Sequence, residues 1–272
     1  MRVQVETVKA DEFSMDYCRF GNGTAVLVVL PGLSVQSVMP LAEAIAVQYQ
    51  ALTDDFTIYV FDRRKGMLPE TYSVHDMAED TAEAVRKLGL RSVSIFGASQ
   101  GGMMAMEIAA EHPELVDKII IGSSSACVST ECFKKLEDWI VLAKTGKAEE
   151  LYISFGELLY PEDVFEGAKE ALSEAAKNVT EEDLARFIIM TEAMRGFDIS
   201  DKLERITCPA LVIGSKTDRV LGDEASVRIA GGLKNSPDCE LYMYDGYGHA
   251  VYDCAPDYQE RMLNFLKRQI TR

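Results

Sequence analysis

The chain has 272 residues, of which 47% are hydrophobic and 26% are charged, a composition that is ordinary for a globular protein with a sizeable core. Acidic residues outnumber Lys and Arg by 44 to 28, and the formal net charge of −16 disfavours binding to nucleic acid or to anionic membrane surfaces. The sequence contains no apolar run of membrane-spanning length and no signal peptide at its start, so we expect a cytoplasmic protein. Its six cysteines are scattered without metal-site spacing, which predicts reduced thiols and no metal site.

Strands and helices alternate along most of the chain. Residues 2–8 and 13–20 predict an antiparallel hairpin at a sheet edge, and the apolar run 25–30 predicts a strand buried on both faces. Further strands are predicted at 56–61, 92–96, 118–121, 210–213 and 240–244, and helices at 39–51, 73–88, 103–110, 224–231 and 257–269. We interpret residues 62–66 as a loop. Repeated strand and helix units of this kind predict a mostly parallel central sheet with helices on both faces.

Residues 128–201 break this alternation. They show helical periodicity over 133–144, 148–159, 164–177 and 181–194, and no strand. We therefore expect a core formed by residues 1–127 and 202–272, and a helical cap, or lid, formed by 128–201 at the sheet edge where open α/β sheets bind ligands. Apolar residues of the lid either line a pocket for an acyl or alcohol group or, as is favoured for any one of them, pack its helices together. These residues are Trp139, Phe155, Leu158, Tyr160, Phe165, Phe187, Met190 and Met194.

The most informative motif places Ser99 between Gly97 and Gly101, where an apolar strand gives way to a helix. Such a strand–turn–helix junction is a nucleophile elbow, which exposes the serine hydroxyl at the carboxyl end of the strand. The turn is so sharp that the residues two before and two after the serine must be small. A serine hydroxyl is a weak nucleophile, so it needs a base and an orienting partner for that base.

The base follows by elimination, because the chain has three histidines. His75 lies in the first turn of a predicted helix, and we interpret it as a surface residue. His112 ends the helix after the elbow, where capping explains it. His249 lies in a glycine-rich loop directly after the last predicted strand, from which an imidazole can reach over the sheet edge. His249 is therefore the predicted base.

Hydrolases with a nucleophile elbow have the chain order Ser, Asp or Glu, His, so the orienting carboxylate should follow a strand between the serine and the histidine. Asp218 fits, because it lies on a short loop after the predicted strand 210–213. Asp245 and Asp253 are nearer to His249 in sequence and are the alternatives. Order and position favour Asp218.

Together these segments resemble the α/β-hydrolase superfamily, in particular its capped single-domain members, over nearly the whole chain. The matching motifs are Gly97-Ala98-Ser99-Gln100-Gly101-Gly102, Gly214-Ser215-Lys216-Thr217-Asp218, Gly248-His249 and Asp62-Arg63-Arg64. The resemblance implies a triad of Ser99, Asp218 and His249 and an oxyanion hole formed by the backbone N–H groups of Leu33 and Gln100. Two departures matter: Pro31-Gly32 stands where many members have His-Gly, and a serine nucleophile disfavours dehalogenase and epoxide hydrolase chemistry, which uses aspartate there.

The function expected from these residues is hydrolysis of a small ester through an acyl-enzyme, without a metal or organic cofactor. The expected partner is a small-molecule substrate with an apolar acyl or alcohol part. The same constellation could instead cleave a carbon–carbon bond, a lactone or an amide, or transfer the acyl group to another acceptor. A non-catalytic small-molecule receptor is the alternative of a different class, and the oligomeric state is open.

Overall fold

The computed structural model describes residues 2–269, which contain eight strands in a single sheet. The strands are β1 (Gln4–Lys9), β2 (Ser14–Phe20), β3 (Ala25–Leu30), β4 (Phe56–Arg64), β5 (Val93–Ala98), β6 (Val116–Gly122), β7 (Ala210–Ser215) and β8 (Cys239–Tyr244). Their order across the sheet is β1-β2-β4-β3-β5-β6-β7-β8. All pairs from β4 to β8 are parallel, whereas β1 pairs with β2 and β2 with β4 in antiparallel fashion. The predicted edge hairpin and mostly parallel sheet are therefore confirmed.

Ten α-helices accompany this sheet within the described part of the chain. They are α1 (Ala42–Gln48), α2 (Val74–Lys87), α3 (Gln100–Glu111), α4 (Thr130–Lys144), α5 (Ala148–Leu159), α6 (Glu162–Ala176), α7 (Glu181–Glu192), α8 (Glu224–Gly232), α9 (Val251–Cys254) and α10 (Tyr258–Leu266). One hydrophobic cluster joins α2, α3 and α8 to one face of the sheet and extends to α4, α5 and α7. A second cluster joins α1 and α10 to the other face. Both faces of the sheet are thus buried, as expected for a parallel sheet.

The predicted helix at 39–51 is shorter than expected. Its α-helical part is α1, and single 3₁₀ turns stand on either side of it at Met39–Leu41 and Gln50–Leu52. Pro40 lies in the first of these turns, where the missing N–H of proline interrupts no helical hydrogen bond.

Helices α4 to α7 lie between β6 and β7, in the segment with helical periodicity. We call them the inserted helices. An isolated antiparallel bridge between Cys127 and Asp198 joins the two ends of this segment. Two of the helices begin at caps that the sequence encodes, since the side chains of Ser129 and Thr180 each accept from the backbone N–H three residues on.

One predicted loop is wrong in part. Asp62, Arg63 and Arg64 belong to β4 rather than to a loop, because β2 continues to pair with β4 as far as Met15 opposite Arg64. Because residues 62–64 are all charged, the sequence does not show the alternation of buried and exposed side chains that is typical of a strand. In the structure Phe61 and Arg63 are buried, while Asp62 and Arg64 are partly exposed.

Candidate active site

Ser99 lies at the turn between β5 and α3 in a strained backbone conformation, with φ 52° and ψ −119°. A β-carbon on Gly97 would lie 2.2 Å from the Gly101 carbonyl oxygen, and one on Gly101 would lie 2.0 Å from the Leu30 carbonyl oxygen. These distances leave no room for a side chain, which confirms the predicted need for two glycines. The backbone N–H of Ser99 donates to the Gly122 carbonyl oxygen at 2.8 Å and ties the turn to β6.

The loop after β3 passes directly beside this serine, because β3 is the neighbour of β5 in the sheet. A β-carbon on Gly32 would lie 3.2 Å from Ser99 Cβ and 3.9 Å from Ser99 Oγ. Within residues 2–269, no protein acceptor binds the backbone N–H of Leu33 or of Gln100, the two predicted oxyanion donors. Free N–H groups are usual in the first turn of a helix, where they are available to an anion.

Asp218 and His249 are in direct contact. The Nδ1 atom of His249 lies 2.8 Å from Asp218 Oδ2, and both side chains are nearly inaccessible to solvent. The other carboxylate oxygen of Asp218 accepts from the N–H groups of Val220 at 2.8 Å and Leu221 at 3.0 Å. Burial alone would raise the pKa of the Asp218 carboxyl, but His249 and these two N–H groups outweigh it and hold the pKa below its ordinary value. Asp218 is therefore an ionised acceptor that fixes the imidazole.

The two loops that carry this pair are tied to one another. Ser215 Oγ donates to the Gly246 carbonyl oxygen at 2.6 Å, and the N–H of Gly248 donates to Thr217 Oγ1 at 3.2 Å. The histidine loop is also joined to α5, because the backbone N–H of the residue after His249 donates to the carbonyl oxygen of the last residue of that helix at 3.0 Å. The position of His249 thus depends on β7, β8 and the inserted helices together.

Ser99 and His249 line one small cavity of about 20 Å³, whose other walls are mostly apolar. A cavity of this size holds one water molecule or a group of that size. The inserted helices and the residues just after them contribute Leu136, Trp139, Phe155, Leu159 and Met194 to its wall. The remaining lining residues are Gly32, Leu33, Val220, Leu221 and Tyr252. We call it the small cavity.

A second cavity of about 970 Å³ shares Gly32, Leu33, Phe155, Leu159 and Tyr252 with the small one. It lies between the loop after β3 and α1 on one side and α5, α6 and the start of α7 on the other. We call it the large cavity. Its volume falls in the range of small-molecule binding sites.

The eight apolar residues of the predicted lid divide between the two expected roles. Four line cavities: Trp139, Phe155 and Met194 border the small cavity, and Phe155 and Tyr160 border the large one. The other four line neither cavity and are buried or partly buried in the protein: Leu158, Phe165, Phe187 and Met190. Trp139 is held in place further, since its Nε1 donates to Ser154 Oγ at 3.2 Å and its ring packs on Phe155.

The other two histidines lie away from this site. The Nδ1 atom of His75 lies 3.3 Å from Glu107 Oε2 and its side chain is half exposed, as the sequence predicted. His112 is the residue that ends α3, and its Nε2 atom lies 2.7 Å from Glu79 Oε1. Residues 2–269 contain no group of three or more His, Cys, Asp or Glu side chains that could hold a metal ion.

The buried guanidinium of Arg63 lies next to the residues of the site, and the sequence analysis did not predict its role. Arg63 Nη2 donates to the Pro31 carbonyl oxygen at 3.0 Å and to Gln100 Oε1 at 3.2 Å. Its Nε atom has no hydrogen-bond partner among the described residues, and burial lowers the pKa of this guanidinium. Arg63 therefore connects the loop of one predicted oxyanion donor to the side chain of the other. Arg63 lies two residues after the apolar Phe61, so in a continued strand both side chains would lie on the same buried face. This spacing is the sequence signal that could have indicated a buried arginine.

The fold is that of an α/β hydrolase, with Ser99, Asp218 and His249 at the carboxyl edge of its sheet. The family model Hydrolase_4, described as serine aminopeptidase, S33, matches residues 56–253. This match spans well over half of the chain, and the protein belongs to this family.

Two sequence relatives share the name "Putative carbamate hydrolase RutD". The protein of Agrobacterium fabrum is 31% identical over 236 residues, which cover 80% of this chain and 86% of the relative. The protein of Rhizobium rhizogenes is 29% identical over 230 residues, covering 82% and 87%. We refer to them as the RutD relatives.

A solved structure has the same fold. MGS-M2, an α/β hydrolase from a Medee basin deep-sea metagenome library, superposes with a TM-score of 0.86 at 21% identity and covers 98% of this chain and 99% of its own. The predicted α/β-hydrolase fold is therefore confirmed. Within residues 2–269, no helix has the length and apolar character needed to cross a membrane.

Proposed function

We propose that this hydrolase cleaves a small ester with Ser99 as nucleophile, His249 as general base and acid, and Asp218 as the orienting carboxylate. One observation carries the proposal: Ser99 and His249 line the same small cavity, while Asp218 Oδ2 lies 2.8 Å from His249 Nδ1. These are the three groups that the activation of a serine hydroxyl requires. In this proposal residues 128–201 act as a cap over a core formed by the rest of the chain.

In the proposed reaction His249 takes the proton of Ser99 as its oxygen attacks the substrate carbonyl. Asp218 keeps the proton-bearing Nδ1 directed toward itself, so Nε2 is the basic nitrogen, and it stabilises the imidazolium that forms. The N–H groups of Leu33 and Gln100 stabilise the oxyanion, each contributing about 3 kcal/mol in comparable sites. His249 then protonates the leaving alcohol, and water releases the acyl group by the same route.

The two cavities suit the two parts of an ester. The small cavity favours a short acyl group, because Trp139 and Met194 limit the space beside Ser99. The large cavity favours a bulkier alcohol part. We therefore expect kcat/KM to fall from acetyl to longer acyl esters of the same alcohol.

A carbamate is the second candidate substrate. The name of the RutD relatives favours it, and a carbamate presents the same kind of carbonyl to the nucleophile. A screen of p-nitrophenyl esters of rising acyl length alongside p-nitrophenyl carbamates separates the two, since the preferred class should show the higher kcat/KM.

The test of the triad is Ser99→Ala. This variant should lose turnover of p-nitrophenyl acetate and covalent labelling by a fluorophosphonate probe, while its circular dichroism spectrum stays unchanged. The matched control is Ser200→Ala, at an exposed serine that lines neither cavity, and it should keep both activities. Undiminished turnover by Ser99→Ala would contradict the proposal.

The same experiment separates an enzyme from a receptor. A receptor would bind a small ester reversibly, without turnover and without labelling at Ser99. Labelling that is lost in Ser99→Ala but kept in Ser200→Ala supports catalysis.

A further inference from the structure

We propose that Asp253, with Gln48 and Tyr160, forms a polar subsite in the large cavity that binds an ammonium group of the substrate. The inference rests on the proposed function and adds a chemical class to it. The substrate would be an ester or carbamate whose alcohol part carries an amine remote from the reacting carbonyl.

The first observation is the environment of the Asp253 carboxylate. Gln48 Nε2 donates to its Oδ1 at 2.9 Å, and the Tyr160 hydroxyl donates to its Oδ2 at 3.3 Å. All three residues line the large cavity. A carboxylate has about four lone-pair positions, so two protein donors leave it able to accept from a ligand.

The second observation is the charge of the large cavity. Its charged lining residues are Asp183 and Asp253, and no Lys, Arg or His is among the described residues that line it. Asp183 caps α7 by accepting from the N–H and hydroxyl of Thr180, and it also accepts from Gln36. Asp253 accepts from two protein donors and Asp183 from three, and Asp183 is committed to the helix cap. A cavity whose charged groups are both acidic favours a cation.

The third observation is that Asp253 is accessible to solvent although many protein atoms lie around it. The residue is accessible to solvent, and it lies in the wall of a cavity rather than on a convex surface. The dense protein around this carboxyl raises its pKa, and the hydrogen bonds of Gln48 and Tyr160 do not fully offset this. A bound ammonium group would supply the missing countercharge.

The subsite is also connected to the proposed reaction centre. Asp253 follows Tyr252, whose ring packs against that of His249 with centroids 6.5 Å apart. Tyr252, Leu33 and Phe155 line both cavities. A substrate held at Asp253 through its amine can therefore extend along these shared walls toward Ser99.

The test measures binding rather than turnover, so that it does not depend on the proposed chemistry. Hexylammonium, hexan-1-ol and hexanoate are titrated calorimetrically into the wild-type protein. We expect hexylammonium to bind more tightly than hexan-1-ol, and hexanoate to bind most weakly. Asp253→Asn should weaken hexylammonium binding by about tenfold and leave hexan-1-ol binding within about twofold.

Asp245→Asn is the matched control, because it removes the same charge from an exposed carboxylate outside the large cavity. It should leave the ammonium preference unchanged. If Asp253→Asn fails to fold, Asp253→Glu takes its place, and it should retain the preference for the amine at reduced affinity. Equal binding of the amine and the alcohol by the wild-type protein, or an equal loss in Asp245→Asn, would overturn the subsite.

The two proposals fail in different ways. An ammonium preference that depends on Asp253, in a protein without esterase or carbamate turnover, would keep the subsite and remove the proposed function. Turnover that depends on Ser99, without any preference for the amine, would do the reverse.

Discussion

The side chain of Gln100 joins the helix after Ser99 to the inserted helices, since its Nε2 donates to the Met190 carbonyl oxygen at 2.6 Å. The other end of the same amide accepts from Arg63. Gln100 is fully buried, so both contacts are shielded from solvent. The inserted helices, the turn at Ser99 and the loop after β3 therefore form one connected unit.

Arg63→Met should reduce kcat by about 10- to 100-fold and change KM little, because Arg63 positions the loop that carries Leu33 without lining either cavity. The free energy of unfolding should change little, since a buried cation is costly to desolvate and Met fills part of the same space. Steady-state kinetics and urea unfolding measure the two effects.

Arg91→Met is the control for Arg63, because Arg91 is exposed. It should leave kcat unchanged. Arg63→Lys should recover part of the activity if a donor to Pro31 is what matters. An Arg63→Met protein with normal kcat would show that the loop keeps its position unaided.

Gly97→Ala should lower the free energy of unfolding by about 2 kcal/mol or more, because the new methyl group would meet the Gly101 carbonyl oxygen. Gly167→Ala is the matched control, at an exposed position inside α6 with nothing within 4 Å. It should stabilise the protein by about 0.5 to 1 kcal/mol. Urea unfolding of both variants checks the pair, and equal effects would contradict the steric argument.

Asp218→Asn should reduce kcat by up to about 10⁴-fold, the loss found when this carboxylate is changed in a comparable triad. The amide keeps the shape but not the charge that orients His249. Asp245→Asn should leave kcat within about twofold, because its carboxylate is exposed and pairs with Lys216. Comparable losses in both variants would remove the reason to prefer Asp218.

The stability difference between Asp253→Asn and the wild-type protein should depend on pH. The dense protein around Asp253 raises its pKa above the ordinary value of 3.8, so the folded protein binds this proton more readily than the unfolded chain. The contribution of this carboxyl to the free energy of unfolding is therefore full below the ordinary pKa and falls as pH rises through the raised one. Asn does not titrate, so the Tm of Asp253→Asn should rise relative to wild type as pH increases from the ordinary pKa of 3.8 through the raised one.

Thermal unfolding at several pH values within that range measures this trend. Asp245→Asn is again the control, since its carboxylate is exposed, and its Tm difference from wild type should be flat. A Tm difference for Asp253→Asn that is constant over the range would contradict the raised pKa.

Much of the fold and of the candidate site can be predicted from local patterns. Apolar runs and glycine positions indicated the strands, the four inserted helices and the turn at Ser99, because hydrophobic periodicity and backbone sterics are local properties. The order of the motifs selected Asp218, and in the structure its carboxylate lies against His249. The end of β4 at 62–64 was missed because its pairing with β2 is a contact between distant segments.

The surroundings of these residues could not be predicted in this way. The contacts of Arg63 with Pro31 and Gln100, and of Asp253 with Gln48 and Tyr160, join positions between 32 and 205 residues apart in the chain. Such contacts depend on how α1, β4 and the inserted helices pack against one another, and that packing involves the whole chain. Burial and cavity shape, which set the charge and the specificity of the site, are therefore properties of the folded chain and not of any local segment.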